Sequence, residues 1–259
     1  MNLLDLSGKV ALVTGAGQGV GRQTVLHLAA HGAPVVVNDF FLDRAEAVVK
    51  EVEAAGGKAF AVQADVGDLG EVQEMFARAH EKFGRVDVVI NNAGNMGPNY
   101  DSVTQAKFWE APVTDWDYWI RVNFNGVMNC CYAALPGMIE RKAGRLITVI
   151  SDAGRVGEPR LAVYSGAKAG AAGFMRSIAR ETARFNVTCN NVAIGTTRTP
   201  ALTASISPEM EAKFAKSYPL GRIGEPSDVA NMMVFLASDA SSFITGQTYP
   251  VNGGFSFNL

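Results

Sequence analysis

Short apolar runs rich in β-branched residues alternate along this chain with longer stretches in which apolar positions recur every three or four residues. The runs at 10–14, 35–38 and 59–63 precede helical patterns at 19–30, 42–55 and 71–82. This alternation predicts strand–helix–strand units and a parallel sheet. Further strands are predicted at 86–91, 146–151, 187–193 and 247–251, and further helices at 114–134, 163–185 and 226–238, with Thr114 and Ser227 as candidate N-caps. The strands are apolar on both faces, so helices should cover the sheet above and below. With no linker, low-complexity stretch or internal repeat, the expectation is one doubly wound α/β domain over residues 1–259, with about seven parallel strands. Segments 95–113 and 200–219 fit no regular element. Both follow the carboxyl end of a strand, where ligands bind in such sheets, and both are expected to be substrate loops.

Composition narrows the class. Hydrophobic residues at 48% and charged residues at 19% exclude a disordered or fibrous chain. A net charge of −2, from 23 basic and 25 acidic residues, points to neither nucleic acid nor an anionic membrane surface as partner. No apolar run reaches the roughly 20 residues of a membrane span, and residues 1–8 hold Asp5 but no Lys or Arg, so a cytoplasmic protein is expected. Cys130, Cys131 and Cys189 are odd in number and lack zinc-type spacing, as expected for buried reduced thiols. His27 and His31 stand four apart without a third ligand, so no metal site is expected.

Thr14-Gly15-Ala16-Gly17-Gln18-Gly19-Val20-Gly21 follows a strand and opens a helix, the context of a glycine-rich dinucleotide loop. Glycines there turn the chain and let backbone N–H groups approach a pyrophosphate. Such a turn can also be mere punctuation. Asp39 ends the second strand 18 residues after Gly21, where a carboxylate reaches ribose hydroxyls and repels a 2′-phosphate; its alternative is a turn or capping aspartate. Gln18, Phe40 and Phe41 supply no cation, so NAD is favoured over NADP. Asp65 with Val66, and Asn91-Asn92-Ala93-Gly94, follow the next two strands and line the same sheet edge.

Tyr164 and Lys168 lie four apart on one helix face. Lowering a phenol from about 10 to about 7.5 takes about 3.4 kcal/mol, and one ammonium about 4 Å away at an effective dielectric of about 20 supplies about 4 kcal/mol. Ser151 ends the fifth strand, and its hydroxyl could hold the same substrate oxygen as the phenol. An isolated pair of this kind is ordinarily a solvated helix face.

Together these residues resemble the short-chain dehydrogenase/reductase family over about residues 6–254, in order and in spacing. The resemblance implies a Rossmann-type fold, Tyr164 as acid/base, Ser151 as orienter, and Lys168 as pKa modulator and ribose ligand. It further implies that Asn123 holds a water in a proton relay and that Thr199 binds the nicotinamide carboxamide, with Gly195 and Thr197 beside it. It also implies a homotetramer or dimer, for which the apolar faces around Phe124, Met128 and Tyr132, or Ala171, Phe174 and Ile178, are candidates. The chain departs from the family pattern at Ile194, where proline is usual, at Asn252, where Asp is common, and in a longer 94–123 segment.

The expected reaction is NAD(H)-dependent interconversion of a secondary alcohol and a ketone on a largely apolar small molecule, whether cyclic, steroid-like or a hydroxyacyl-CoA. The alternatives are a 3-oxoacyl thioester reductase and a non-catalytic dinucleotide-binding regulator. An epimerase or dehydratase on the same fold ranks second, since the 64 residues after Gly195 leave little room for the sugar-nucleotide domain it usually needs. Tyr100, Phe108, Trp109, Trp116, Tyr118, Trp119, Met210, Phe214 and Tyr218 are candidates for a pocket lid or for core or subunit-interface packing, and Arg155, Arg160 and Arg198 for phosphate contacts.

Overall fold

Five of the seven strands are buried along almost their whole length, which is why their sequences are apolar on both faces. In the computed structural model, which describes residues 2–94 and 106–257, these are β1 (Ala11–Val13), β2 (Val35–Asp39), β4 (Val88–Asn91), β5 (Gly144–Ser151) and β6 (Val187–Ile194). β3 (Ala59–Gln63) and β7 (Thr248–Val251) form the edges and are more exposed. All pairings are parallel, in the order β3-β2-β1-β4-β5-β6-β7. The direction of winding therefore reverses between β1 and β4, which opens a crevice at their carboxyl ends.

Alternate strand residues feed two cores. Val13, Val35 and Ile90 pack with α1 (Gly19–Ala30), α2 (Leu42–Ala54) and α10 (Pro226–Ala237). Leu12, Val36 and Leu146 pack with α3 (Leu69–Phe83), α5 (Gly126–Arg141) and α7 (Ala162–Thr182) on the opposite face. No helix among the described residues is long and apolar enough to cross a membrane.

Three local expectations need correction. The helix expected at 114–134 is α4 (Asp115–Ile120), a π-helical turn (Arg121–Asn125) and α5, which runs on through Pro136 because Met138 anchors it in the core. Thr114 stands at its start but makes no side-chain cap. Ser227 does not cap α10 either: Pro226 takes the first helical position, so Glu225 is the N-cap, in a reciprocal capping box with Asp228. The segment expected to be irregular at 200–219 holds α8 (Pro200–Ser205) and α9 (Pro208–Ala215). Thr199 and Ser207 cap them ahead of a proline, a Thr-Pro and Ser-Pro signal that was there to be read. α6 (Ala153–Val156) is a single turn after β5. Most of the 95–113 loop, with Tyr100, lies outside the described residues.

Candidate active site

The glycine-rich turn is held by a seam between the tips of β1 and β4. Thr14 Oγ1 accepts the backbone N–H groups of Asn92 (3.1 Å) and Ala93 (3.0 Å), while Asn92 Nδ2 donates to the carbonyls of Thr14 (2.9 Å) and Gly15 (3.0 Å). Gly15 is left-handed (φ +59°), and a Cβ there would lie 2.8 Å from Ala93 Cα; one on Gly21 would run into the Gly15 carbonyl oxygen. Glycine is required at both. Gln18, at the N-cap of α1, makes no side-chain cap, and the first turn carries no acidic residue. The positive helix end, with Gly19 and Val20, is left to the cleft, an arrangement that suits a pyrophosphate.

Asp39 lines the cleft beside the glycine turn, where Oδ2 accepts the Gly17 N–H (2.9 Å) and Oδ1 the Phe41 N–H (3.1 Å). The sequence reading missed Arg44, which lines the cleft from the first turn of α2 with its guanidinium 4.3 Å from the Phe41 ring centroid. Its signal was a basic residue five positions past Asp39. Asp65 accepts from Arg121 Nη1 (2.7 Å) and from the Gly67 N–H (2.8 Å), and the Val66 carbonyl accepts from Asn129 (2.9 Å). Thr199 closes over the glycine turn, since a Cβ on Gly19 would lie 3.2 Å from its methyl. Thr197 is buried and donates to the Gly195 carbonyl (3.1 Å).

Ser151, Tyr164 and Lys168 meet on the floor of the same cleft, of about 1000 Å³. Every cofactor-binding residue expected from the sequence lines it, from Gly15 to Thr199, including Ala93 and Gly94. Lys168 is buried and donates to the Val149 carbonyl (2.9 Å); burial pushes its ammonium down to about 8. Its Nζ lies 5.8 Å from the Tyr164 ring centroid. Burial pushes the Tyr164 phenol up, and a hydrogen bond with Ser151 offsets part of that rise. Ser151 Oγ also accepts the Ala153 N–H (3.1 Å). Asn123 does not line the cleft but lies beneath it in the π turn, with Nδ2 donating to the Trp119 carbonyl (2.9 Å). A Cβ on Gly94 would lie 3.2 Å from Asn123 Oδ1 and 3.4 Å from Lys168 Nζ, so both groups converge on that glycine.

The far end of the cleft is walled by Trp119, Leu161, Leu202, Phe214, Tyr218 and Phe255. Trp119 rests on Tyr164, with ring centroids 5.2 Å apart. Phe108, Trp109, Trp116 and Met210 are exposed away from the lining, with Phe108 stacked on Trp116. Tyr118 does not line it either. Arg155 and Arg198, expected at phosphates, are engaged by Asp152 and by Glu211 with Glu225, respectively. Phe255 was missed; 91 residues separate it from Tyr164, and only the fold joins them.

Asn92→Ala removes both donors to the glycine turn and strands two carbonyls, a loss of about 1–3 kcal/mol. Affinity for a reduced nicotinamide dinucleotide should weaken by about tenfold in a fluorescence titration, with a lower melting temperature. Unchanged affinity would show that the seam does not shape the turn.

The profile described as enoyl-(acyl carrier protein) reductase matches residues 15–256. The chain is 41% identical over 247 residues to 3-oxoacyl-[acyl-carrier-protein] reductase FabG of Staphylococcus aureus, covering 95% of this chain and 97% of that one. It is 39% identical over 252 residues to the (2S)-[(R)-hydroxy(phenyl)methyl]succinyl-CoA dehydrogenase subunit BbsD of Thauera aromatica, covering 97% and 98%. A 7α-hydroxysteroid dehydrogenase solved with NADH and 7-oxo glycochenodeoxycholic acid superposes with a TM-score of 0.90 at 34% identity, covering 97% of this chain and 96% of that one. With its sheet order, its glycine turn and its Ser151, Tyr164 and Lys168 floor in place, the chain belongs to the short-chain dehydrogenase/reductase family of oxidoreductases.

Proposed function

We propose that this protein is an NAD(H)-dependent oxidoreductase that interconverts a secondary alcohol and a ketone on a largely apolar, ring-bearing small molecule. The observation that carries the proposal is the convergence of Ser151, Tyr164 and Lys168 below an aromatic wall. A 3-oxoacyl thioester reductase is the second reading, favoured by the name of the S. aureus relative. A non-catalytic regulator is disfavoured, because all three polar groups are kept together.

Gly15, Gln18, Gly19, Val20 and Gly21 would hold the pyrophosphate, Asp39, Asp65 and Val66 the adenosine end, and Lys168 with Asn92, Ala93 and Gly94 the nicotinamide ribose. Gly195, Thr197 and Thr199 would hold the carboxamide. When bound, the nicotinamide supplies or accepts the hydride. Ser151 holds the substrate oxygen, and Tyr164 moves the proton at that oxygen. Lys168, whose ammonium burial pushes down to about 8, stabilises a phenolate when it carries its proton. Asn123, beside it, orients the proton path.

A phenol raised by burial keeps its proton at neutral pH, the state that ketone reduction consumes. Alcohol oxidation needs the phenolate, so its kcat should rise with pH. Lys168→Met removes a cation and should displace that midpoint further upward while weakening NADH binding. Tyr164→Phe should lower turnover by roughly 10² to 10⁴ and leave NADH affinity near normal. A Tyr164→Phe enzyme with near-normal turnover would remove the residue from the chemistry.

For the cofactor, kcat/KM with NAD should exceed that with NADP by at least about tenfold, because Asp39 faces the position of a 2′-phosphate. Arg44 opposes this preference, so Arg44→Ala should widen it. Equal efficiency with the two cofactors would overturn the assignment.

The proposal includes self-association as a dimer or tetramer. Tyr132 is 65% exposed on α5, beside partly buried Met128, and Phe124 meets Phe174 edge to face across α7. Light scattering at micromolar concentration should give two or four times 27.5 kDa; a 27.5 kDa particle would count against it.

A further inference from the structure

One buried polar cluster is left unused by that chemistry. Asp152, next to Ser151 and 3% exposed, accepts from Arg155 Nη1 (2.7 Å), Ser256 Oγ (2.8 Å) and Asn252 Nδ2 (2.7 Å). Asn252 Nδ2 also donates to the Ser256 carbonyl (3.0 Å), and Arg155 donates to Ser256 Oγ (2.7 Å) and to the Phe257 carbonyl (2.9 Å). Charge-assisted bonds of this length are strong, and a buried carboxylate stripped of its donors is costly. Two segments about a hundred residues apart are thereby tied together: the turn after the catalytic serine and the C-terminal stretch.

The tied stretch also braces the turn after α9. The Gly253 carbonyl accepts the Leu220 N–H (3.2 Å), and at Gly254 (φ +87°) a Cβ would crowd Pro219 at 3.0 Å. Phe255 is thus set against Tyr218, with ring centroids 5.4 Å apart, and the Tyr218 hydroxyl accepts the Thr196 N–H (2.7 Å) in the loop after β6. Phe255 remains 38% exposed and lines the cleft. A large ring fixed through both of its neighbours and facing a cavity sets the shape of that cavity.

We propose that Phe255 is a specificity-determining residue for ring-bearing substrates, and that Asp152, Arg155, Asn252 and Ser256 are the positioning residues that hold it against Tyr218. The inference rests on the oxidoreductase reading and names the part of the site that selects its substrate. A hydroxysteroid or aryl carbinol carries a ring that can pack on this wall; 2-butanol carries none.

The test compares kcat/KM for a hydroxysteroid, an aryl carbinol and 2-butanol in the wild type, Phe255→Ala, Arg155→Met and Arg155→Lys. In Phe255→Ala the value for the ring-bearing substrates should fall at least tenfold, chiefly through KM, with 2-butanol and the NADH Kd within about twofold of wild type. Arg155→Met should shift the ratio the same way and speed amide hydrogen exchange in 252–257, and Arg155→Lys should recover part of both. An unchanged ratio of ring-bearing to small substrates in Phe255→Ala, or unchanged exchange in Arg155→Met, would overturn the proposal. A wild type that oxidises no alcohol would count against the oxidoreductase reading alone; calorimetric binding of the hydroxysteroid to wild type and Phe255→Ala, together with the exchange data, would then decide the role of the wall.

Discussion

Burial of the Lys168 ammonium is the constraint around which the site is arranged. Moving such a charge out of water costs several kcal/mol even after relaxation, and a single carbonyl, that of Val149 at 2.9 Å, receives one of its three donors. The residual cost shows as an ammonium at about 8. Keeping it there requires α7 to lie close against its surroundings. Gly154 meets Lys168 Cβ where a side chain of its own would lie only 2.9 Å away, and Gly94 leaves space 3.4 Å from Nζ. The same closeness sets Tyr164, one turn earlier on α7, against Ser151 at the tip of β5.

Sheet topology supplies the rest. Because winding reverses between β1 and β4, the loops at their carboxyl ends part and leave a crevice into which both the glycine turn and the 91–94 turn project. Thr14 and Asn92 tie those two turns with four hydrogen bonds. The nucleotide end and the chemical floor are therefore not independent. A shift of the β4 tip would move Gly94 relative to Lys168 and draw the Asn92 amide off the carbonyls of Thr14 and Gly15 at once. The π turn at Arg121–Asn125 serves the same geometry, carrying Asn123 beneath Gly94 where a regular helix would space it differently.

What was legible in the sequence was local or periodic. Strand and helix order followed from apolar spacing, and the glycine turn, Asp39, Ser151, Tyr164 and Lys168 were legible because each sits at a strand tip or on one helix face. The π turn was not legible, since a change of hydrogen-bond register leaves no mark on apolar spacing. The misread caps had a simple cause: Pro226 moves the N-cap back to Glu225, and Thr-Pro and Ser-Pro start α8 and α9 within a segment that lacks apolar periodicity. Arg44 and Phe255 were missed because their relevance depends on contacts formed only in the fold. The fate of Arg155 and Arg198 shows the converse. A basic residue near a candidate site is free for a ligand only if no carboxylate reaches it first, and Asp152 and Glu211 do.

The floor and the wall answer to different physics. On the floor, a few polar atoms must hold their positions within tenths of an ångström, so they stand on a strand end, a long helix and a glycine turn. The wall is apolar, and burying apolar surface yields only about 25 cal/mol per Å², with no direction. One methylene more or less in such a pocket is worth about 1–3 kcal/mol, so selectivity comes from where the rings stand. Those rings come from three segments far apart in sequence: Trp119 before the π turn, Phe214 near the end of α9 with Tyr218 in the turn after it, and Phe255 in the C-terminal stretch. Rings on short segments hold a shape only if something rigid holds the segments. In this chain that task falls to hydrogen bonds, at Thr196 for Tyr218 and at Asp152 for the stretch bearing Phe255.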